Sequence, residues 1–174
     1  MQFMSKWLDR RFSYQPPAGE YPVIVERLRG APARVAATVR FVPARVLTAR
    51  SGDAWSIQEN IGHLIDLEPL WMGRTQELFG GVRELSAADM SNARTHAAAH
   101  NQRGIEAIVA EFAVARGNLV ARLDAATDAD VERSALHPRL QRPMRLVDLC
   151  FFVAEHDDHH LARISELLRA WRGQ

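Results

Sequence analysis

The sequence predicts an all-α protein, and three observations carry that reading. Apolar residues recur at spacings of three and four along nearly every long segment, the period of a helix buried on one face. Strand-like alternation bounded by hairpin signals such as Asn-Gly or Asp-Gly is absent. A capping-box pattern, Ser56-Ile-Gln-Glu59, follows the turn Ser51-Gly-Asp-Ala-Trp55 and marks a helix start.

The first helical region covers about residues 20–47 and carries Val23, Val25, Leu28, Val35, Val39 and Val42. Pro32 and Pro43 lack an amide donor and clash with the preceding turn, so this region is expected in two or three pieces. A second helix starts near Ser56 and runs to about Phe79, with Ile57, Ile61, Leu64, Ile65 and Trp71 apolar and Gly80-Gly81 ending it. Pro69 should disturb it beyond His63. Residues 81–96 are polar and irregular, long enough for a crossover, so short-loop reasoning does not set the spatial order of the helices.

A third helix is expected over about residues 97–123, with Ile105, Ile108, Val109, Phe112, Leu119 and Leu123. Turn signals at Asp128, His137-Pro138 and Arg142-Pro143 fill residues 124–143, and a fourth helix spans about residues 146–171. No repeat, low-complexity tract or linker divides the chain. Residues 1–174 therefore read as one domain, with 1–19 as an N-terminal extension.

With 22 basic and 21 acidic residues the formal net charge is +1, which provides no broad electrostatic footprint for nucleic acid or an anionic membrane. No apolar run approaches the roughly 20 residues that span a bilayer, and no signal-peptide apolar region is visible near the N-terminus. The single cysteine, Cys150, excludes an intramolecular disulfide and a Cys-rich metal site. A cytoplasmic protein is expected, with Cys150 serving as buried packing.

The chemistry concentrates in histidines. In the fourth helix Leu149, Val153, His156, His160, Ile164 and Leu167 form one stripe in steps of three and four, so His156 and His160 share the core-facing side one turn apart. His159 aligns instead with Phe152, Glu155, Arg163 and Glu166, a mixed flank. His63 can supply a third nitrogen from the second helix, and three neutral imidazoles with an open position make a reactive metal site rather than a closed structural one. The ordinary alternative is a set of hydrogen-bonded histidines.

Glu59, one turn before His63, is a candidate to orient that imidazole, although its capping role accounts for it equally well. His137, in the loop before the fourth helix, is a second candidate near a pocket mouth. His96 and His100 form a competing i, i+4 pair without a supporting apolar face. Asp157 and Asp158 read as solvated or as partners for arginine. Trp55, Trp71 and Trp171 read as core or interface anchors. No phosphate loop, G-x-S-x-G elbow or Ser-His-Asp series is present, and no catalytic residue is assigned.

The order Asp-Ala-Trp55-Ser56-Ile-Gln-Glu59-Asn-Ile-Gly-His63-Leu64-Ile-Asp66, then His137-Pro138, then Glu155-His156-Asp-Asp-His159-His160-Leu resembles the DinB/YfiT-like superfamily over about residues 21–171. The resemblance implies a four-helix bundle, frequently a homodimer, holding a divalent metal such as zinc or nickel. Its ligands would be His63, His156 and His160. Trp71, Phe79 and Trp171 are candidate dimer contacts.

Two functional readings follow. The first is a metal-dependent thiol S-transferase that conjugates a low-molecular-weight thiol to a small electrophile in detoxification or stress defence, with a metal-dependent hydrolase as its nearest variant. The other is a non-catalytic metal-binding or structural dimer. A fourth protein ligand, for instance His137 or Glu59, would favour the latter.

Overall fold

The computed structural model describes residues 6–10 and 15–173. Residues 1–5 and 11–14 of the expected N-terminal extension lie outside the described residues, and with them much of the segment on which the signal-peptide reading rests.

Helix α1 (Tyr21–Val39) leads to the short α2 (Ala44–Leu47), and α3 (Ile57–Gly80) follows. Next come α4 (Ala93–Ala97), α5 (Ile105–Asp124) and α6 (Asp128–Val131). A hairpin of β1 (Ser134–His137) and β2 (Arg142–Arg145) leads directly into α7 (Leu146–Arg172). The long helices α1, α3, α5 and α7 form a four-helix bundle in which α5 and α7 each pack against both α1 and α3. Successive long helices α1 and α3 therefore lie across a diagonal, as do α5 and α7. The segments that cross the bundle are therefore 40–56, between α1 and α3, and 125–145, between α5 and α7, whereas residues 81–104, long enough for a crossover, join neighbouring helices.

Local chemistry explains most boundaries. At the start of α3 the Glu59 amide donates to Ser56 Oγ (3.1 Å) and the Ser56 amide donates to Glu59 Oε2 (2.9 Å), the reciprocal capping box expected there. Gly81 ends the helix in a left-handed conformation, φ 69°.

Pro43 divides the first helical region as expected, but Pro32 does not: α1 runs through it unbroken. Proline at 32 cannot donate to the carbonyl of Leu28, one turn earlier. Arg116 supplies the missing donor, its Nη1 lying 3.3 Å from Leu28 O. Pro69 is likewise carried inside α3.

The third long helix begins at Ile105 rather than near Ala97. Ala99, at φ 49°, breaks the backbone, and a 3₁₀ turn at His100–Gln102 intervenes. His100 is thereby driven onto α3, where a Cβ on Gly62 would fall 2.3 Å from its ring. The hairpin is a second departure from the expected turns. β1 alternates in burial, but Ser-Ala-Leu-His and Arg-Pro-Met-Arg carry no apolar–polar alternation to announce strands, and β1 gains a parallel bridge from Glu84 to Leu136.

Two apolar clusters fill the bundle. Ile24, Leu28, Trp71, Leu78, Leu119 and Phe152 belong to one, and Val35, Ile61, Leu64, Phe112 and Ile164 to the other. A polar layer lies between them along α3, α5 and α7. Arg116, 1% exposed, donates from Nε to Glu68 of α3 (2.9 Å) and from Nη2 and Nη1 to Asp157 of α7, the former at 3.0 Å. Of the two readings of these aspartates, the arginine partnership holds for both: Asp157 is fully buried on Arg116, and Asp158 pairs with Arg27 and Arg34 nearer the surface.

Burial pushes the Glu68 and Asp157 carboxyls up. It also disfavours the Arg116 charge, but the two carboxylates more than offset this and hold its pKa above the usual value. Arg116→Ala strands two buried carboxyls and the Leu28 carbonyl. The expected loss is about 3–5 kcal/mol of unfolding free energy, read by urea denaturation.

Candidate metal centre

His63 of α3 and His156 and His160 of α7 are all buried, and one potential ligand atom from each lies within 4.8 Å of the others. Their ring centroids are 4.6 Å (His156–His160), 5.0 Å (His63–His160) and 5.4 Å (His63–His156) apart. The i, i+4 stripe on α7 produces the pair. Asp157, next in the chain, turns toward Arg116 because successive helical residues diverge by roughly 100°.

Neighbouring groups orient two of the rings. The Asn60 side-chain amide donates to Trp55 O (3.3 Å) and Ser56 O (2.7 Å), so its Oδ1 is the acceptor facing His160 Nδ1 at 2.9 Å. His160 Nδ1 must therefore carry the proton, which leaves Nε2 with a free lone pair. His63 Nδ1 lies 3.0 Å from Thr95 Oγ1, a hydroxyl that holds the ring in either tautomer. His156 Nδ1 is buried with no hydrogen-bond partner, an orphan that a bound cation or its ligand sphere would relieve.

All three rings stay neutral. Burial lowers the His63 pKa to about 4, reinforced by His100 and His96 against the opposing pull of Asp66. Burial likewise pushes His156 and His160 well below the ordinary value, helped by the neighbouring imidazoles. Neutral imidazole is the ligating form. The donor set therefore fits a borderline divalent metal such as zinc or nickel.

Glu59 does not approach this cluster as an acceptor for His63. It closes the capping box and pairs with Arg50, whose Nε donates to Oε2 at 2.8 Å. His137 is buried elsewhere on the cavity wall, 3.3 Å from Arg74 and with its ring 6.2 Å from Phe152. His96 and His100 fall on separate short elements, and His100 is held by Asp66 (2.8 Å). Cys150 is buried, and burial pushes its thiol pKa up, so it is packing.

The triad opens onto a cavity of about 800 Å³ walled by α3, α7, residues 87–92, the hairpin turn and residues 6–8. Three tryptophans frame it. Trp55 lies 4.7 Å from the His63 ring, Trp7 5.0 Å from His156, and Trp71 5.9 Å from His156. Trp55 and Trp71, expected as core or interface anchors, are thus also cavity walls. Sequence reasoning missed Trp7, Thr95 and Arg74 as wall or orienting residues. Asn60 had a signal, since it precedes His63 by three and shares its face.

Fold and cluster together define a helical bundle with an exposed-to-cavity trio of neutral histidines. The sequence profile of the DinB superfamily matches residues 27–164, and the chain belongs to that superfamily. A solved structure of YfiT from Bacillus subtilis, described as a probable metal-dependent hydrolase with an unusual four-helix bundle topology, superposes with a TM-score of 0.80. It shares 19% identity, and the match covers 93% of each chain. No functionally curated protein matches the chain. No helix among the described residues is long and apolar enough to cross a membrane.

Two outcomes are expected. Asn60→Ala frees the His160 ring and weakens zinc affinity roughly 10- to 100-fold in a competitive chelator titration. For pH, a histidine whose folded pKa is depressed binds its proton in the unfolded chain first. The metal-free protein is therefore most stable above about pH 6.5 and loses stability as the pH falls from there through the His63 value of about 4, measured by thermal melts.

Proposed function

We propose that this protein is a metal-dependent enzyme whose divalent ion is held by His63, His156 and His160. The observation that carries the reading is the trio itself: three neutral, mutually close imidazoles facing a cavity, with neither Glu59 nor His137 joining as a fourth ligand. A non-catalytic site would be closed. A divalent ion there would supply Lewis acidity, lowering the pKa of a thiol or water that reaches the open side.

Among reactions open to such a site, we favour thiol transfer to an electrophile. The electrophilic carbon gains a bond to sulfur and loses its leaving group, and the thiol proton departs to solvent. The chain's residues support this in two ways. The cavity walls are rich in apolar and aromatic side chains, including Leu67, Leu70, Trp71, Met90 and Phe152, which exclude water and suit an organic electrophile. The cavity carboxylates are also committed elsewhere. Asp89 accepts from the Ser91 amide (2.9 Å) and the Ala93 amide (2.9 Å), and Glu166 pairs with Arg163. Hydrolysis benefits from a free general base beside the attacking water, a part left to the half-buried His159 on the same wall, whereas an ionised thiol needs none.

Hydrolysis is the second reading, supported by the description of YfiT together with the shared fold. Pairing of two copies is a further part of the proposal. Val23 of α1 and Val114 of α5, each 65% exposed on helices that pack side by side, support it. Trp71, by contrast, is spent inside one chain.

Elemental analysis of the untagged protein and His156→Ala tests the reading first. About one zinc or nickel per chain is expected, lost in the variant while far-ultraviolet circular dichroism persists. A panel of thiols with monobromobimane should then show conjugation that falls at least about 100-fold in the variant. Full metal stoichiometry in His156→Ala would refute the ligand assignment. Turnover of an ester without thiol, at rates no thiol exceeds, would favour the hydrolase.

A further inference from the structure

The end of the cavity away from the histidines holds a buried arginine with no acidic partner. Arg74 is only 2% exposed and lines the cavity, yet no carboxylate among the described residues lies within ion-pair distance of it. The nearest acidic residue on its own helix, Glu77, spends its carboxylate on the Ser86 amide (2.9 Å) and the Ser86 hydroxyl. Arg74 Nε and Nη2 donate to the Ser86 carbonyl at 2.9 and 2.7 Å, and Nη1 lies 3.3 Å from His137 Nε2. A guanidinium carries five N–H bonds, so two remain unspent.

Acceptors are short on the other side as well. The Leu140 amide donates to His137 Nδ1 at 3.2 Å, and a neutral imidazole has one lone pair to offer. His137 can therefore satisfy Leu140 or Arg74, not both. Arg139, at the exposed rim, adds a second positive charge that reaches both Arg74 and His137. Burial lowers the Arg74 pKa only to about 10, so the charge persists at neutral pH. A buried cation among surplus donors is costly unless an anion completes it.

We propose that Arg74, joined at the rim by Arg139, is a carboxylate-recognising subsite, and that the reaction at the histidine end takes a partner bearing a carboxylate. The second half of this statement rests on the proposed function; the subsite does not. Arg74 lies eleven residues beyond His63 on α3, three turns along and rotated by only roughly 20°. Both therefore face the same cavity. Trp71 stands between the two ends, its ring 5.9 Å from His156 and 5.8 Å from the Arg74 guanidinium carbon. A small organic acid spans that ring, its carboxylate forked on Arg74 and its reacting group before the histidines.

Fluorine NMR titration of the full chain with para-fluorobenzoate, against para-fluorobenzamide, tests the subsite. The acid should bind saturably and at least about tenfold more tightly than the amide. Arg74→Gln should erase that preference, Arg74→Lys should keep part of it, and His156→Ala should leave it intact. No preference in the wild type, or a preference that survives Arg74→Gln, overturns the proposal. So does a preference lost in His156→Ala, since the acid would then sit on the metal.

If circular dichroism shows Arg74→Gln unfolded, the exposed Arg139→Gln decides. A loss of about threefold at low salt is expected, and unchanged affinity overturns the subsite. Metal content of the same samples judges the histidine reading separately. An intact carboxylate preference in a protein that never takes up metal would sink the metal reading and spare the subsite.

Discussion

The buried guanidinium of Arg116 is the interaction on which the rest of the structure depends. It reaches from α5 to the Leu28 carbonyl of α1, Glu68 of α3 and Asp157 of α7, touching all the other long helices. Such a group is expensive to bury, and apolar residues of similar volume would often hold a bundle as firmly. Its directional bonds add what apolar packing lacks, a fixed rotation and height for each helix it meets. Asp157 adjoins His156, so locking the former toward α5 leaves the latter aimed at α3. Glu68 lies between His63 and Trp71 and fixes α3 at the same level. The histidine trio inherits its geometry from this polar layer.

How much of this was legible follows from the range of the interactions. The stripe that places His156 and His160 together is local to one helix, and so is the capping box at Ser56. Both could be read directly. Residue identity offered arginine pairing for Asp157 as one of two readings but could not choose it or disclose its burial, because the partner Arg116 lies 41 positions away and an Asp-Asp pair on a helix looks like a solvated face. Pro32 fails as a break signal for the same reason. The donor that replaces its amide comes from another helix.

Other misreadings were errors of local energetics. An Ala97-Ala-Ala run favours helix, yet Ala99 adopts a left-handed conformation that costs of order 1 kcal/mol. The tertiary gain is visible: His100 seats its ring against Gly62 and its Nε2 on Asp66. Propensity cannot foresee such an exchange, since the compensating contact forms only once α3 is in place. Glu59 shows the converse. One short carboxylate serves the cap and Arg50, leaving nothing for His63, whose partner Thr95 comes from the segment between α3 and α5.

The same physics that makes the cavity costly makes it chemically capable. Three imidazoles are buried together, one with an unpartnered nitrogen, and at the far end a guanidinium has no carboxylate beside it. Each is a deficit of opposite kind, lone pairs seeking a cation and N–H groups seeking an anion. In a low-dielectric cavity neither is screened well, so each end discriminates strongly by charge. Yet the two ends do not satisfy one another, because Trp71 separates them and α3 spaces them three turns apart. A protein selected for stability alone would fill such a cavity with leucine. A cation at the histidine end, between α3 and α7, and a carboxylate at the Arg74 end of α3 would meet the two demands separately.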